Sequence, residues 1–271
     1  MTEVAYIDRP SRALYFYAIL YLGFLYIPVL FLPMFSFNDN IYIAFPLKGF
    51  TTKWYVEMFN NQPMWAALNN SLNVACVSAA IATLLGLLGA KAVTRYRIPG
   101  EKLIIFVIML PMVVPYIIMG VALLILITRL GIDLSLYTVT MAHVLISVPF
   151  AMATLIARFE GFDQALEEAS VDLGASPLST FWRVTLPLVF PGVLASFLLC
   201  FTISFDEFIM AYFLAGTDPT LPIFIWSQLR FPFRLPGVLA LGSLILVVSF
   251  VVVFISQWLR RYRVEKTQPG I

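Results

Sequence analysis

The chain has 271 residues, of which 61% are hydrophobic and 12% are charged, and its mean hydropathy is +0.92. Soluble domains have roughly 45 to 50% apolar and about 25% charged residues, so this composition excludes a water-soluble globular protein. The net charge of +2, with no basic stripe interleaved with aromatic residues, argues against nucleic acid as a partner. The expected solvent is a lipid bilayer.

Six continuous apolar stretches are each long enough to cross a bilayer as a helix, which takes about 20 residues. Barrel strands would alternate in segments of about ten residues, so the predicted fold class is an all-α membrane protein with six transmembrane helices. No repeat or linker divides the chain, and residues 1–271 are predicted to form a single transmembrane domain. The predicted spans, in chain order, are residues 13–35, 66–93, 103–128, 137–157, 188–214 and 237–259.

The distribution of Lys and Arg predicts which side of the membrane each loop faces, because cytoplasmic loops carry an excess of both. With the N-terminus inside, five of the 17 basic residues fall on the outer side and the others on the cytoplasmic side. Both termini are therefore predicted to be cytoplasmic. The first apolar run is too long for a signal peptide and is expected to remain as an uncleaved anchor. The five outer residues are Lys48, Lys53, Arg129, Arg230 and Arg234.

The predicted cytoplasmic loop at residues 158–187 interrupts the apolar chain with two short amphipathic helices. Asp163 is placed to cap the first helix. Glu167 and Glu168 fall in its early turns, where the helix dipole favours carboxylates. One face of this helix carries an apolar stripe at helical spacing: Leu166, Ala169 and Leu173.

The second half of this loop contains turn and cap residues. Gly174 sits where a left-handed residue would end the first helix. Ser176 and Pro177 supply an N-cap and a first helical residue for the second helix, which Leu186-Pro187 is predicted to close at the membrane. Spacing alone leaves an ordinary surface helical hairpin as an equal alternative.

A composite pattern in the same loop resembles the EAA signature of permease subunits in bacterial ATP-binding-cassette (ABC) importers. Glu168-Ala169-Ser170 is followed after three residues by Gly174 and after nine more by Val184-Thr185-Leu186-Pro187. Ser170 and Val184 replace the usual alanine and isoleucine conservatively. Shorter matches along the chain resemble the spermidine/putrescine (PotC-like) permease family, and they lie at residues 49–55, 95–97, 161–163, 172–176 and 221–222.

The resemblance implies the transmembrane domain of a type I ABC importer, of MetI-like fold, in the bacterial inner membrane. Its partners would be a second homologous permease subunit, a dimer of ATPase subunits and a periplasmic substrate-binding protein. The chain would bind no cofactor, since ATP and Mg would lie on the ATPase subunits, and it would not be an enzyme. Its sequence contains no phosphate-binding GxxxxGK[ST] loop. The residues expected to couple to the ATPase are Glu167, Glu168, Ala169, Gly174, Leu186 and Pro187.

Asp206 and Glu207 lie well inside the fifth predicted span. At about 1.5 Å per residue, Asp206 is on the order of 25 Å from the cytoplasmic end, and charges at such depth face a cavity or a partner. Adjacent side chains point about 100° apart on a helix, so one carboxylate could line a substrate pathway while the other pairs across an interface. Both are candidate pathway residues. The alternative is a hydrogen-bonded pair that anchors helices.

Other residues in the spans have structural interpretations. Pro111 and Pro115 predict a kink in the third span. His143, alone in an apolar run, is predicted to be a packing histidine rather than a proton relay. A stripe of small residues in the second span predicts the close approach of another helix, from this chain or from a second permease: Ser78, Ala82, Gly86 and Ala90.

These observations predict a permease subunit that moves a small cationic solute, above all a polyamine, into the cytoplasm by alternating access. The same architecture carrying an opine, iron, thiamine or a phosphonate stays open, although an anion fits Asp206 and Glu207 poorly. An ATP-independent channel or carrier and a membrane scaffold are rivals that would not need the docking loop. The outer loop at 215–236 either anchors in the membrane interface or receives the binding protein, with Arg230 and Arg234 offering charge complementarity.

Overall fold

The computed structural model describes residues 12–267, so the predicted cytoplasmic placement of the chain ends at 1–11 and 268–271 lies outside the described residues. Within that range the chain is helical and forms no strand. Its helices are α1 Arg12–Ser36, α2 Lys53–Phe59, α3 Gln62–Arg95, α4 Glu101–Met109, α5 Tyr116–Arg129, α6 Leu136–Glu160, α7 Ala165–Asp172, α8 Pro177–Thr180, α9 Leu186–Asp206, α10 Ile209–Leu214, α11 Leu221–Leu229 and α12 Leu235–Thr267.

The predicted membrane architecture is confirmed by the lengths and hydropathy of these helices. Among residues 12–267, five helical segments are long and apolar enough to cross a bilayer, and a bent helix pair supplies a sixth if it counts as one span. The five are Arg12–Ser36, Gln62–Arg95, Leu136–Glu160, Pro177–Asp206 and Pro232–Val251. Each overlaps a predicted span, but the fifth begins and ends earlier than predicted, at Pro177 and Asp206 instead of 188 and 214.

The third predicted span, 103–128, is broken rather than merely kinked. Its two halves, Glu101–Met112 and Tyr116–Arg129, meet at an angle of 100°. Pro111 and Pro115 both lack the N–H that a continuous helix needs, and Pro115 has extended backbone with ψ of 132°. The residue before a proline also avoids helical conformation, which applies here to Val114. The two prolines therefore produce a complete break.

The chain separates into two compact units, 1–62 with 227–271 and 63–226. In the described part of the first unit, α1 and α2 both pack on α12. The Tyr55 hydroxyl lies 2.7 Å from Ser36 Oγ and 3.2 Å from Ser243 Oγ, so one side chain of α2 joins both long helices. Most of α1 is exposed apolar surface, which is typical of a helix that faces lipid.

The second unit is built around α3, α6 and α9. The small residues Ser78, Ala82, Gly86 and Ala90 are all buried, and their neighbours belong to this chain. A Cβ on Gly86 would lie 2.6 Å from Ala151 Cβ of α6, so the two backbones approach as closely as glycine permits. This answers the question that the sequence left open about the small-residue stripe.

Candidate functional site

The EAA hairpin, defined here as residues 161–185, begins with the short helix α7. The N-cap residue of α7 is Gln164 and not Asp163 as predicted, but Asp163 Oδ1 accepts a hydrogen bond of 2.9 Å from Ala165 N, the first residue of the helix. After α7, Gly174 has a φ of 87°, in the left-handed region that favours glycine. A Cβ at Gly174 would meet nothing within 4 Å, so the backbone angle alone accounts for this glycine.

The second helix of the hairpin starts as predicted but does not end as predicted. Ser176 Oγ accepts from Ser179 N at 3.3 Å, and Pro177 is the first residue of α8. The prediction that Leu186-Pro187 closes this helix is wrong, because a π-helical turn at Phe181–Thr185 carries it into α9. In that turn Leu186 N donates to Phe181 O, five residues earlier, instead of to the carbonyl four residues earlier as in an α-helix. The change comes just before Pro187, which has no N–H to donate.

Glu167 is bound within its own chain. Its Oε2 lies 2.5 Å from Arg95 Nε at the end of α3, and its Oε1 accepts from the Thr185 hydroxyl. The side chains of Arg95 and Glu167 are only 12% and 13% exposed. Arg95 also donates to Phe159 O at 3.2 Å. Glu167 therefore holds the hairpin to the helix bundle, and its carboxylate is not directed outward toward a partner as the sequence suggested.

Glu168 and the apolar stripe are both exposed, but Glu168 lines the pocket that contains Arg95 and Glu167, whereas the stripe lines a separate groove. Glu168 is exposed and accepts a 3.0 Å hydrogen bond from Gln164 Nε2. Leu166 is 48% exposed and Leu173 is 89% exposed, which is costly for apolar side chains in water. With Ala169, Pro187 and other residues, they line a groove of about 600 Å³.

The remaining predicted coupling residue, Leu186, is half-buried and faces the core. It packs against a cluster that includes Leu155, Phe159 and Val189. The structure therefore brings Ala169 and Pro187 together at the groove, places Gly174 at the turn and turns Leu186 inward. Sequence reasoning missed Arg95, since nothing distinguishes it from other basic residues at helix ends and it is 72 positions from Glu167.

The predicted fifth span, 188–214, is interrupted beside the acidic pair. α9 ends at Asp206, Glu207 has extended backbone, and α10 begins at Ile209. The Glu207 carboxylate accepts backbone N–H groups of Ile209, Met210 and Ala211 at 2.9 to 3.1 Å. These donors have no partner within a helix start, so Glu207 caps α10 and stabilises the break.

A buried chain of polar groups extends from Glu207. His143 Nε2 lies 3.3 Å from Glu207 Oε2, and His143 Nδ1 lies 2.7 Å from Ser204 Oγ. Ser204 Oγ is in turn 2.8 Å from Ser78 Oγ. These contacts connect α3, α6 and α9, and His143 is a hydrogen-bonded packing histidine. The sequence offered one indication of this pairing. His143 is a lone histidine in one apolar run, and Ser204 and Glu207 are polar residues three positions apart in another apolar run.

Asp206 and Glu207 carry the same charge but differ in exposure and in hydrogen bonding. It is exposed, and its carboxylate makes no hydrogen bond or ion pair with any residue that the structure describes. Glu207 is 6% exposed and fully engaged inside the chain. The expectation that Glu207 lines a pathway therefore does not hold within this chain, and Asp206 alone of the pair remains available to a solute.

The loop at 215–236 contains α11 and a short 3₁₀ turn. Arg234 Nη1 donates to Gln228 Oε1 at 2.9 Å, and its guanidinium lies 5.1 Å and 5.6 Å from the rings of Phe231 and Phe233. Arg234 thus makes its polar and cation–π contacts within this turn, so its guanidinium is less available for an ion pair with a partner.

The described residues form an apolar helical bundle with one broken span, an exposed carboxylate at the end of another span and an amphipathic hairpin joined to the core, an arrangement that occurs in membrane transport proteins. The protein family described as "Binding-protein-dependent transport system inner membrane component" matches residues 58–264, so the chain belongs to this family. It is therefore a permease component of an ABC import system in the inner membrane, and its relatives are transport subunits rather than enzymes.

Curated relatives agree with this assignment, and a solved structure has the same fold. The chain is 37% identical over 240 residues to the spermidine/putrescine transport system permease protein PotC of Escherichia coli K12, covering 88% of this chain and 90% of PotC. It is 35% identical over 258 residues to the putrescine permease PotI of the same strain, covering 92% and 91%. A bacterial alginate ABC transporter, crystallised with its pentasaccharide-bound periplasmic protein, has the same fold with a TM-score of 0.68, 18% identity and coverage of 96% and 95%.

Proposed function

We propose that this permease subunit moves a small cationic solute, above all a polyamine such as spermidine or putrescine, into the cytoplasm by alternating access. The observation that carries the proposal is the exposed Asp206 carboxylate, which has no partner in the described chain and lies at the C-terminal end of the fifth membrane-crossing helix, just before α10. Discontinuous helices of this kind form solute sites in many transporters.

The energetics of charge in a membrane support a pathway role for Asp206. An Asp costs about 2.5 to 3.5 kcal/mol at the centre of a membrane helix and less toward its end, so the carboxylate at the end of α9 should face water, a cation or a second subunit rather than lipid. An exposed carboxylate lowers the energy of an ammonium group and raises that of an anion at the same place. The names of PotC and PotI add that two relatives of this chain serve polyamine uptake.

The assembly would include a second homologous permease, two ATPase subunits that bind ATP and Mg, and a periplasmic binding protein. The EAA hairpin would dock on an ATPase subunit through the groove that contains Leu166, Ala169 and Pro187. Glu168, exposed beside the pocket that contains Arg95, would meet basic groups of the partner from a neighbouring face of α7. This orientation puts the hairpin and both chain termini in the cytoplasm, in agreement with the distribution of Lys and Arg.

The deciding experiment compares Asp206→Asn with Asp133→Asn in proteoliposomes that contain the complete transporter and its binding protein. Asp133 is an exposed carboxylate between α5 and α6 and serves as the matched control. We expect ATP-driven uptake of labelled spermidine or putrescine to fall at least tenfold in Asp206→Asn and to stay unchanged in Asp133→Asn. Undiminished uptake by Asp206→Asn would overturn the assignment of a cation pathway to this residue.

Other solutes and mechanisms are separated by the same preparation. Uptake of an opine, iron or thiamine with no polyamine uptake would keep the architecture and change the substrate. Uptake by the purified chain without ATPase subunits would favour a channel or carrier instead. A membrane scaffold would give no substrate-stimulated ATP hydrolysis in any combination of subunits.

A further inference from the structure

We infer that α3 is a rigid connection between the EAA hairpin at one end and the 215–221 loop at the other, with Arg95 and Glu167 joining the hairpin to it. Neither residue needs to touch the solute or a partner subunit, so both are positioning residues. The inference rests on the proposed function, because it assigns the route by which an event at the hairpin reaches the opposite end of the bundle.

The junction at the C-terminal end of α3 consists of several contacts made by its last basic residues. Besides the ion pair with Glu167, the Arg95 guanidinium lies 4.6 Å from the ring centroid of Phe162. Lys91, one turn earlier, has its Nζ 4.4 Å from the ring centroid of Phe181 in the π-helical turn. The end of α3 is therefore attached to both arms of the hairpin.

The geometry of the ion pair makes it a strong attachment. A charge-assisted hydrogen bond is roughly twice as strong as a neutral one, and the low exposure of both side chains limits screening by salt. Thr185, which donates to the other oxygen of Glu167, is fully buried at the start of α9. A displacement of α7 would therefore pull on α3 through Arg95 and on the π-helical turn before α9 through Thr185.

The other end of α3 is attached to the 215–221 loop by two hydrogen bonds. Asn70 Nδ2 donates to Pro219 O at 3.0 Å, and the buried Ser71 Oγ accepts from Leu221 N at 2.8 Å. The loop itself is closely packed, because a Cβ on Gly216 would lie 2.3 Å from Leu134 O. This end of α3 therefore cannot shift without moving Pro219 and Leu221.

Between these junctions α3 is an uninterrupted helix. From Ser71 to Arg95 there are 24 residue steps, or about 36 Å at 1.5 Å per residue, and no proline lies between them. The contacts of Gly86 with Ala151 and of Ser78 with Ser204 keep the helix against α6 and α9 along its length. A helix held in this way is a continuous physical connection between its two ends, which is the requirement for the coupling inferred above.

The test uses the complete transporter in proteoliposomes and measures how far the loaded binding protein stimulates ATP hydrolysis. The variants are Arg95→Gln, Glu167→Gln and the charge exchange Arg95→Glu with Glu167→Arg. Glu160→Gln, an exposed glutamate at the end of α6, is the matched control. Co-purification of the ATPase subunits and thermal unfolding confirm that each variant has assembled and folded.

We expect each single variant to lower the stimulation at least fivefold while ATPase subunits still co-purify, and we expect the charge exchange to restore at least half of it. Asn70→Ala should lower the stimulation in the same way from the other end. Full stimulation in Glu167→Gln and Arg95→Gln, with a stimulated wild type, would overturn this inference alone. A wild type that the binding protein does not stimulate would overturn the proposed function and this inference together.

Discussion

Glu207 Oε2 lies 3.3 Å from His143 Nε2 in the interior of the 63–226 unit, at the point where the fifth span is interrupted. The same carboxylate accepts three backbone N–H groups at the start of α10. In a membrane every backbone group must find a partner inside the protein, so a helix break needs such an acceptor. The acidic pair is thus divided between one carboxylate that maintains the break and one, Asp206, that the break exposes.

This division predicts opposite effects of two neighbouring substitutions. Glu207→Ala removes the acceptor of three N–H groups and the partner of His143, and we expect it to destabilise the protein by about 3 kcal/mol. Asp206→Asn removes no contact within the described chain and should leave the stability unchanged within about 0.5 kcal/mol. Thermal unfolding of the purified protein in detergent measures both, and equal stability of the two variants would contradict the structural role of Glu207.

The close approach of α3 and α6 predicts that Gly86 tolerates no larger side chain. Gly86→Leu places atoms where Ala151 already lies, and overpacking of this kind costs about 1 to 3 kcal/mol. Gly23→Leu in α1 is the control, because the nearest atom to a Cβ there is Ile27 Cδ1 at 3.8 Å. The control should unfold at the wild-type temperature or above, because leucine favours a helix more than glycine does. An equal loss in both variants would contradict a steric role that is specific to Gly86.

Much of this fold follows from the sequence because a bilayer imposes a simple rule on helix length. The long apolar runs gave the spans, and Pro111 and Pro115 marked where the third one breaks. The break after Asp206 has no proline or glycine to signal it. The carboxylate that stabilises it is paired with His143, which only the tertiary packing brings to Glu207 and Ser204.

In the EAA hairpin, too, local sequence predicted the local features but not the tertiary contacts. The cap at Ser176 and the left-handed Gly174 are local features, and the sequence predicted both. Glu167 and Glu168 are adjacent and chemically alike, so their roles depend on which face of α7 meets the bundle. Glu167 faces the bundle because it pairs with Arg95, which is 72 positions away in the sequence, and no local pattern in α7 indicates this contact.

The left-handed backbone at Gly174 predicts a defect in coupling that arises from strain at this turn. Gly174→Ala should cost about 1 to 2 kcal/mol at the turn, since a Cβ is strained at a φ of 87° although no atom obstructs it. Gly237→Ala, with equally open surroundings and no positive φ, is the control. We expect ATP-driven uptake to fall several-fold only in Gly174→Ala, and uptake equal to the control would contradict a requirement for this turn.

The exposed leucine of the hairpin predicts where the ATPase subunit binds. Leu173 is 89% exposed, and burying a leucine side chain in a partner's groove contributes about 1.5 to 3 kcal/mol. Leu173→Ser should therefore weaken ATPase binding about tenfold or more, since 1.4 kcal/mol corresponds to a factor of ten. Leu130→Ser, at a residue 65% exposed just after α5, should leave binding unchanged. Titration of the purified permease with ATPase subunits measures both constants, and undiminished binding by Leu173→Ser would place the docking surface elsewhere on the chain.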